Sequence, residues 1–262
     1  AHNQACVHWQ RLHRIPPKVK VKRQAKWVGS KSLSLISRFS ERSAPYLDTF
    51  LEACAELKGL ESIILFWQED AGMILPSIDV ASILTRIIKL DNANVASVDL
   101  MLEYASEIPS VGVLWIPDPI HISKKVRDIN IGLAYWQLYP QKMVGFLSAN
   151  WDNNKQQLIL GNLPDYSYNL ILFDAPVIFP SKHVRIYMDH QQHSYRMVAK
   201  QYDECAQFAI NIIGSLHTED GVYIQKVRSY KWKLKKKLTW GFHEKHKYCL
   251  QKYSKWFPKH HL

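Results

Sequence analysis

The sequence predicts an α/β fold whose core is a largely parallel sheet with helices on its faces. Short, continuously apolar runs recur through the first half of the chain, as in residues 62–67 (Ser-Ile-Ile-Leu-Phe-Trp) and 111–116 (Val-Gly-Val-Leu-Trp-Ile). Such runs are typical of strands that are covered on both faces. Segments with apolar residues at helical spacing alternate with them, and this alternation favours a parallel sheet over an antiparallel one.

The first half supplies the clearest elements. A helix is expected to begin at Ser43-Ala44-Pro45, since proline is favoured in a first helical turn, and Gly59 is typical of a stop after it. A second helix is indicated by Val98, Met101, Leu102 and Ala105. Strands are predicted over residues 33–39, 62–67, 87–90 and 111–116. Because ligands of parallel sheets bind beyond the carboxyl ends of the strands, the loops that follow these strands are the first candidates for a site.

The second half differs in pattern. A helix over residues 126–139 is expected to end before Pro140. A strand over residues 143–147 comes next, and residues 156–160 and 169–173 resemble a pair of strands. A further helix over residues 199–213 and a strand over 222–227 complete the prediction.

The net charge of +11 is concentrated at the two ends. Residues 1–31 hold eight basic and no acidic residues, and 226–262 hold twelve basic and one acidic, whereas 32–225 are acidic overall. We interpret 1–31, with Pro16-Pro17, as a basic linker or stem and 32–262 as one folded domain. Basic flanks attract polyanions, although solvated tails are an equally simple explanation for 1–31. No run of about 20 apolar residues is present, and a membrane anchor upstream of Ala1 stays compatible with the sequence.

Four cysteines occur, and none of them has the spacing of a zinc ribbon. Two readings stay open: disulfides in a secretory compartment, or small buried apolar side chains. They are Cys6, Cys54, Cys205 and Cys249.

Three segments carry side chains suited to chemistry, and each has a simpler explanation. Asp118, between Pro117 and Pro119, follows the 111–116 strand and suits a divalent cation, but an aspartate between prolines is also a good turn residue. Asp203-Glu204 opens a helix, where acids commonly complement the helix dipole. Residues 241–249 concentrate histidine and lysine, either in a late loop that closes over a diphosphate or at the start of a basic helix.

Taken in order along residues 32–262, these segments resemble glycosyltransferase family 64, the C-terminal domain of exostosin and exostosin-like proteins. Residues 139–146 (Tyr-Pro-Gln-Lys-Met-Val-Gly-Phe) are similar to the family's Phe-Pro-x-x-Ile-Val-Gly-Phe segment. Residues 202–206 are similar to its Cys-Glu-Asp-Ile-Ala segment, and residues 172–179 to its acceptor-side stretch. Four further segments are less closely similar to the family's opening strand with its Glu-Arg turn, its second strand, its nucleotide loop and its closing segment. They are, in that order, Ser32–Arg42, residues 62–68, Asp91-Asn92 and residues 242–258.

The resemblance implies a GT-A-type, Rossmann-like mixed sheet flanked by helices. It implies a UDP-sugar donor, Mn²⁺, and a retaining transfer of a sugar of the N-acetylhexosamine type in the lumen of the Golgi or endoplasmic reticulum. The acceptor would be a glycan or proteoglycan, anionic in some cases, and no nucleic acid is expected. By position, Gln68 and Asn92 would face the nucleotide, Arg42 and Lys245 the donor, and Asp118 the metal; Glu204, with Asp203 beside it, would supply the carboxylate near the donor sugar. A disulfide between Cys205 and Cys249 is also compatible with the resemblance.

The chain departs from the family pattern at several of these positions. A single Asp118 replaces three acids, the Glu-Asp order is reversed at Asp203-Glu204, and Lys245 replaces an arginine that would grip phosphate with two parallel hydrogen bonds. Asp174 replaces a small residue, and an expected arginine is missing near residues 95–97. Two hypotheses therefore stand: an active UDP-sugar-dependent hexosyltransferase, or an inactive relative that binds a nucleotide, glycan or partner. A third, polyanion binding through the basic flanks, predicts strong salt dependence.

Overall fold

In the computed structural model, the described residues are 32–68, 83–90, 97–117, 119–152, 157–160, 170–189, 193–202, 205–217, 223–224 and 240–253. Residues 1–31 lie outside this part of the chain, so the division into a linker and a domain stays a prediction.

Ten strands form two sheets within the described residues. The strands are β1 (Leu33–Phe39), β2 (Leu60–Gln68), β3 (Leu84–Leu90), β4 (Gly112–Ile116), β5 (Val144–Gly145), β6 (Ser148–Asp152), β7 (Gln157–Leu160), β8 (Leu170–Ile171), β9 (Val177–Pro180) and β10 (Tyr223–Ile224). The large sheet has seven strands in the order β10-β5-β9-β4-β1-β2-β3, and the small one has the order β7-β6-β8.

Seven α-helices and two short 3-10 helices complete the described fold. The α-helices are α1 (Leu47–Ala55), α2 (Val98–Ser106), α3 (Val126–Leu138), α4 (Ser181–Met188), α5 (His193–Gln201), α6 (Cys205–His217) and α7 (Trp240–Tyr253). The 3-10 helices are Ala44–Tyr46, directly before α1, and Pro119–Lys124, directly after the β4 end. No helix of the described residues is both long and apolar enough to cross a membrane.

The large sheet is mixed. Strands β1, β2, β3 and β4 pair in parallel, and β9 pairs antiparallel with both β4 and β5, so β5 and its parallel neighbour β10 run in the same direction as β1. The connections β1–α1–β2 and β3–α2–β4 travel in opposite directions along the sheet. Because parallel crossovers are right-handed, their helices lie on opposite faces.

Two layers of helices follow from this topology. On one face, α1 and α3 pack around the 3-10 helix Pro119–Lys124; on the other, α2, α4, α5, α6 and α7 pack against one another. The central strands are buried on both faces: every residue of β4 is buried, as are Leu33–Ser37 and Phe39 in β1. Covering both faces is the physical reason for the continuously apolar strand sequences.

The predicted α/β fold with a mixed sheet flanked by helices is confirmed. The four strands predicted in the first half correspond to β1, β2, β3 and β4, and β1 has the predicted bounds. The predicted helix after Ser43 is a 3-10 turn that leads into α1, and it ends at Ala55 rather than at Gly59. Gly59 instead has a positive φ of 78° in the turn before β2, a conformation that favours glycine.

Three predictions for the second half are wrong. The segments 156–160 and 169–173 do not pair with each other; β7 and β8 flank β6, a strand whose polar sequence Ser-Ala-Asn-Trp-Asp gave no apolar signal. The helix predicted over 199–213 is two helices, α5 and α6. Residues 241–249 lie in α7 rather than in a late loop, so the alternative of a basic helix is the correct one.

Candidate functional site

The carboxyl ends of β1, β2, β3 and β4 meet at one edge of the large sheet. The register sets Phe39 beside Trp67, Gln68 beside Leu90, and Ser37 beside Ile116. The hydroxyl of Ser37 also donates to the Ile116 carbonyl at 2.8 Å. The order of the strands along the sheet reverses between β1 and β4. In α/β sheets, ligands bind beyond the carboxyl ends of the strands at such a reversal, so this edge is the candidate crevice.

The turn after β1 lies at this edge of the sheet. The Ser40 N–H donates to Ser43 Oγ at 2.8 Å, and Ser43 Oγ donates back to the Ser40 carbonyl at 3.1 Å. This closed turn leaves the Arg42 side chain exposed. The structure therefore places the predicted donor-binding Arg42 at the carboxyl end of β1, and its role stays a prediction.

Gln68 ends β2 at the same edge and is half-buried. The preceding Trp67 is fully buried and stacks on Phe39, with ring centroids 5.8 Å apart, and Phe39 packs edge-on against Phe50 of α1. Since neighbouring strand residues point to opposite faces, Gln68 points to the face away from α1. Aromatic packing of Trp67, Phe39 and Phe50 thus fixes this strand end.

The residue proposed to hold a metal, Asp118, lies outside the described residues. Its described neighbours follow β4 directly: Pro117 is half-buried, and Pro119 is buried at the start of the 3-10 helix. Within the described part of the chain, no three histidine, cysteine, aspartate or glutamate side chains gather into a possible cation site. The described residues therefore offer no metal ligand set of their own.

The turn Phe173-Asp174-Ala175 lies next to the β4 end. The indole Nε1 of Trp115 donates to the Phe173 carbonyl at 2.9 Å, and the two rings are 5.8 Å apart. Because β9 runs antiparallel to β4, its first residues lie at the same edge where β4 ends. The exposed Asp174 is thus brought to the candidate site, where the family pattern has a small residue.

The first turn of α6 is tied to this segment. The Phe173 N–H donates to Gln207 Oε1 at 3.0 Å. One turn further along α6, Asn211 accepts from the Ile171 N–H at 2.8 Å and donates to the Ile171 carbonyl at 2.9 Å. Gln207 and Asn211 are both buried, so these amides replace water as partners of the backbone after and within β8. Sequence reasoning missed both residues.

Gln207 also contacts α7. Its Nε2 lies 3.1 Å from Nε2 of the fully buried His246. Because the Phe173 N–H occupies Gln207 Oε1, the amide nitrogen is the group that faces the ring, and an amide nitrogen donates. His246 Nε2 is therefore the acceptor, and the neutral ring carries its proton on Nδ1.

A disulfide joins the same two helices. Cys205, the first residue of α6, is bonded to Cys249 of α7. The predicted catalytic pair Asp203-Glu204, directly before Cys205, lies outside the described residues, as does Asn92. Lys245 belongs to α7, next to His246, and its side chain is not described. The roles assigned to these four residues stay predictions.

A largely buried polar cluster lies at the start of α2, beside the carboxyl edge of the large sheet. Asp99 in the first turn of α2 accepts from the Tyr187 hydroxyl at 2.7 Å and from Arg196 Nε at 3.1 Å. Burial raises the pKa of Tyr187, and the Asp99 charge and hydrogen bond raise it further. Ser97 caps the helix by accepting from the Leu100 N–H at 3.0 Å. These contacts fix the start of α2, and nothing in the local sequence pattern indicated them.

Comparison with known proteins decides the family. The model of the glycosyl transferase family 64 domain matches residues 33–262, which is most of the chain. The chain belongs to glycosyl transferase family 64. Membership supports a glycosyltransferase-like function, with a nucleotide-sugar donor and a glycan acceptor in general terms. No curated protein matches the family 64 chain.

Solved structures resemble the family 64 chain only distantly. CMP:2-keto-3-deoxy-manno-octonic acid synthetase complexed with CTP is 9% identical, with a TM-score of 0.42, covering 76% of this chain and 90% of the other. Rv0371c from Mycobacterium tuberculosis H37Rv is 10% identical, with a TM-score of 0.29 over 67% of this chain and 86% of its own. Its complex with manganese gives 11% identity and a TM-score of 0.27 over 66% and 84%. At these scores the likenesses carry no argument about function.

Proposed function

We propose that this family 64 domain transfers a sugar of the N-acetylhexosamine type from a UDP-sugar to a glycan or proteoglycan acceptor, with retention of configuration. The observation that carries the proposal is the reversal of strand order between β1 and β4, at the edge where β2 ends in Gln68 and the Arg42 turn begins. In a family of nucleotide-sugar transferases, this is where a nucleotide is expected to bind.

The donor would be held from both sides of the crevice. Gln68 and Asn92 would face the nucleotide, and the cationic Arg42 and Lys245 would share the charge of the diphosphate leaving group. Asp118 would hold Mn²⁺, whose chemistry is to neutralise the diphosphate as it leaves. Glu204, with Asp203 beside it, would supply the carboxylate near the donor sugar.

The setting is proposed to be the lumen of the Golgi or endoplasmic reticulum, with an exostosin-like role. The Cys205–Cys249 disulfide supports this, since disulfides persist in oxidising compartments. The basic flanks suit an anionic acceptor.

The competing proposal is a domain that keeps the donor pocket without turnover. It is favoured by the reduction of the family's three acids to the single Asp118. The two proposals differ in their metal dependence and in whether a sugar leaves the nucleotide.

The test is a calorimetric titration of UDP with and without Mn²⁺ into the wild-type protein, Asp118→Ala and Glu61→Gln. Glu61 is an exposed carboxylate near the start of β2, at the opposite edge of the sheet, and serves as the matched control. The transferase proposal expects metal-dependent binding that Asp118→Ala abolishes and Glu61→Gln preserves, followed by turnover of at least one UDP-sugar. Binding without turnover would favour the inactive relative, and no binding of UDP under either condition would rule out both forms of the donor site.

A further inference from the structure

We propose that Gln207 is a positioning residue for the donor site, a proposal that rests on the function proposed above. Its side chain is a single bridge between three segments that each carry a predicted functional position. These segments are the Phe173-Asp174 turn, the start of α6 that follows Asp203-Glu204, and the part of α7 that holds Lys245 and His246.

The bridge begins at β4. Trp115 Nε1 donates to the Phe173 carbonyl at 2.9 Å, and the Phe173 N–H donates to Gln207 Oε1 at 3.0 Å. Both polar groups of the Phe173 backbone are therefore occupied, one from the sheet and one from α6. These two hydrogen bonds fix the path of the backbone between β8 and β9.

The bridge continues into α7. Gln207 Nε2 donates to His246 Nε2 at 3.1 Å, and the His246 ring packs edge-on against Phe208, with centroids 5.2 Å apart. His246 and Phe208 are fully buried, and Gln207 is 4% exposed. In such an environment a lost partner is not replaced by water, so removing the amide would loosen all three segments, although the Cys205–Cys249 disulfide would still join α6 to α7.

Asn211 shows what a purely structural amide in the same helix does. It lies one turn after Gln207 and is fully buried, and it bonds to the backbone of Ile171 rather than Phe173. Its amide nitrogen also donates to the Gln207 carbonyl at 2.7 Å, within α6. Asn211 therefore joins α6 to β8, whereas Gln207 joins α6 to both Phe173 and His246, which makes Asn211 a matched control.

The experiment compares wild-type protein, Gln207→Met and Asn211→Leu, two substitutions that replace an amide with an apolar side chain of similar size. Hydrogen–deuterium exchange is followed in peptides that cover residues 172–176, 202–206 and 245–249. Gln207→Met is expected to speed exchange by about tenfold or more in all three peptides, whereas Asn211→Leu is expected to do so mainly near residue 171. Equal exchange patterns in the two variants would overturn the bridging role.

Titration of UDP with Mn²⁺ into the same three proteins tests the link to the donor site. Gln207→Met is expected to weaken UDP binding by about tenfold or more, and Asn211→Leu by less than about twofold, because positioning errors of a fraction of an ångström are costly at a preorganised site. Equal UDP affinities in the two variants would overturn the positioning role while leaving the donor site intact. If the wild-type protein binds no UDP, the donor-site proposal fails, and the exchange pattern alone decides whether Gln207 couples the three segments.

Discussion

The hydroxyl of Tyr187 and the Nε of Arg196 both donate to Oδ1 of Asp99, at 2.7 Å and 3.1 Å. These contacts join α4 and α5 to the first turn of α2 across a largely buried carboxylate, which is 9% exposed. The start of α2 lies at the carboxyl edge of the sheet, so the contacts of Asp99 stabilise the backbone next to the candidate site.

Alkaline pH is expected to destabilise the fold through its buried tyrosines. The pKa of Tyr187 is raised by burial and by Asp99, and that of Tyr253 is raised by burial and by the Asp99 charge, relative to an unfolded value of about 10. The stability gained from the neutral hydroxyls is complete below pH 10 and is lost as pH rises further. Each tyrosine contributes a slope of up to about 1.4 kcal/mol per pH unit.

Tyr187→Phe removes one of these two contributions. Urea unfolding at pH 8, 10 and 11 should show a shallower decline in the free energy of unfolding than in the wild-type protein. Tyr46→Phe, at a 43% exposed position, is the control and should retain the wild-type slope. An unchanged slope in Tyr187→Phe would show that its hydroxyl ionises as easily in the folded state as in the unfolded state.

Arg196→Met should destabilise the protein by about 2 kcal/mol, because it removes a cation from a mostly buried carboxylate. We expect a smaller loss of stability than for a fully buried ion pair, because the Arg196 and Asp99 side chains are 18% and 12% exposed. A double-mutant cycle with Asp99→Asn, measured by urea unfolding, should show that the two losses are not additive. Strict additivity would mean that the pair contributes no coupling energy.

Two glycines should respond in opposite ways to alanine. A Cβ on Gly145 would lie 2.6 Å from Cγ2 of Ile171, a branched side chain of β8, so Gly145→Ala should cost about 1–3 kcal/mol. A Cβ on Gly214 in α6 would meet the flexible thioether of Met143, and alanine favours a helix by about 1 kcal/mol. Gly214→Ala should therefore be neutral or stabilising in thermal unfolding; the reverse order of the two variants would contradict the packing described here.

Breaking the Cys205–Cys249 disulfide should lower the free energy of unfolding by about 4 kcal/mol, since the bond closes a long loop of sequence separation 44. Thermal unfolding of the wild-type protein with and without reductant measures this loss. The Cys205→Ala/Cys249→Ala double variant should no longer respond to reductant. Cys54→Ala, which replaces a buried free thiol, should remain sensitive.

The first half of the sheet could be predicted because its strands are buried on both faces. Residues 63–67 are an uninterrupted apolar run, and four of the seven residues of Leu33–Phe39 are apolar. The carboxyl ends of these strands define the candidate edge without any knowledge of long-range contacts. The resemblance to the family assigned Gln68 and Arg42 to the donor site, and the structure has both residues at this edge.

The second half could not be predicted in the same way, because local pattern does not encode its pairings. Strand β9 has four residues and ends in proline, and it is a strand because β4 and β5 supply its partners. Residues 241–249 were compatible with a late loop or with a basic helix, and packing of α7 against α6 makes that segment helical.

Gln207 shows the same limit within the site. From the sequence alone, an amide in the first turn of an apolar helix is a polar residue with no indicated partner. Its partners lie 34 residues before it and 39 residues after it. Only the folded chain brings Phe173 and His246 to either end of one side chain.

The reversed direction of β9 has a consequence for how members of this family can diverge. The first half-sheet is built by residues 33–116 and the second by strands from 144–224, and the backbone bonds of β9 to β4 and β5 are the seam between them. Because β9 starts at the carboxyl edge of the sheet, insertions or substitutions just before it would reshape one side of the candidate site. The register of β1 to β4 would not change. The half-sheet of residues 33–116 can thus stay constant while the segment before β9 changes the ligand that it contacts.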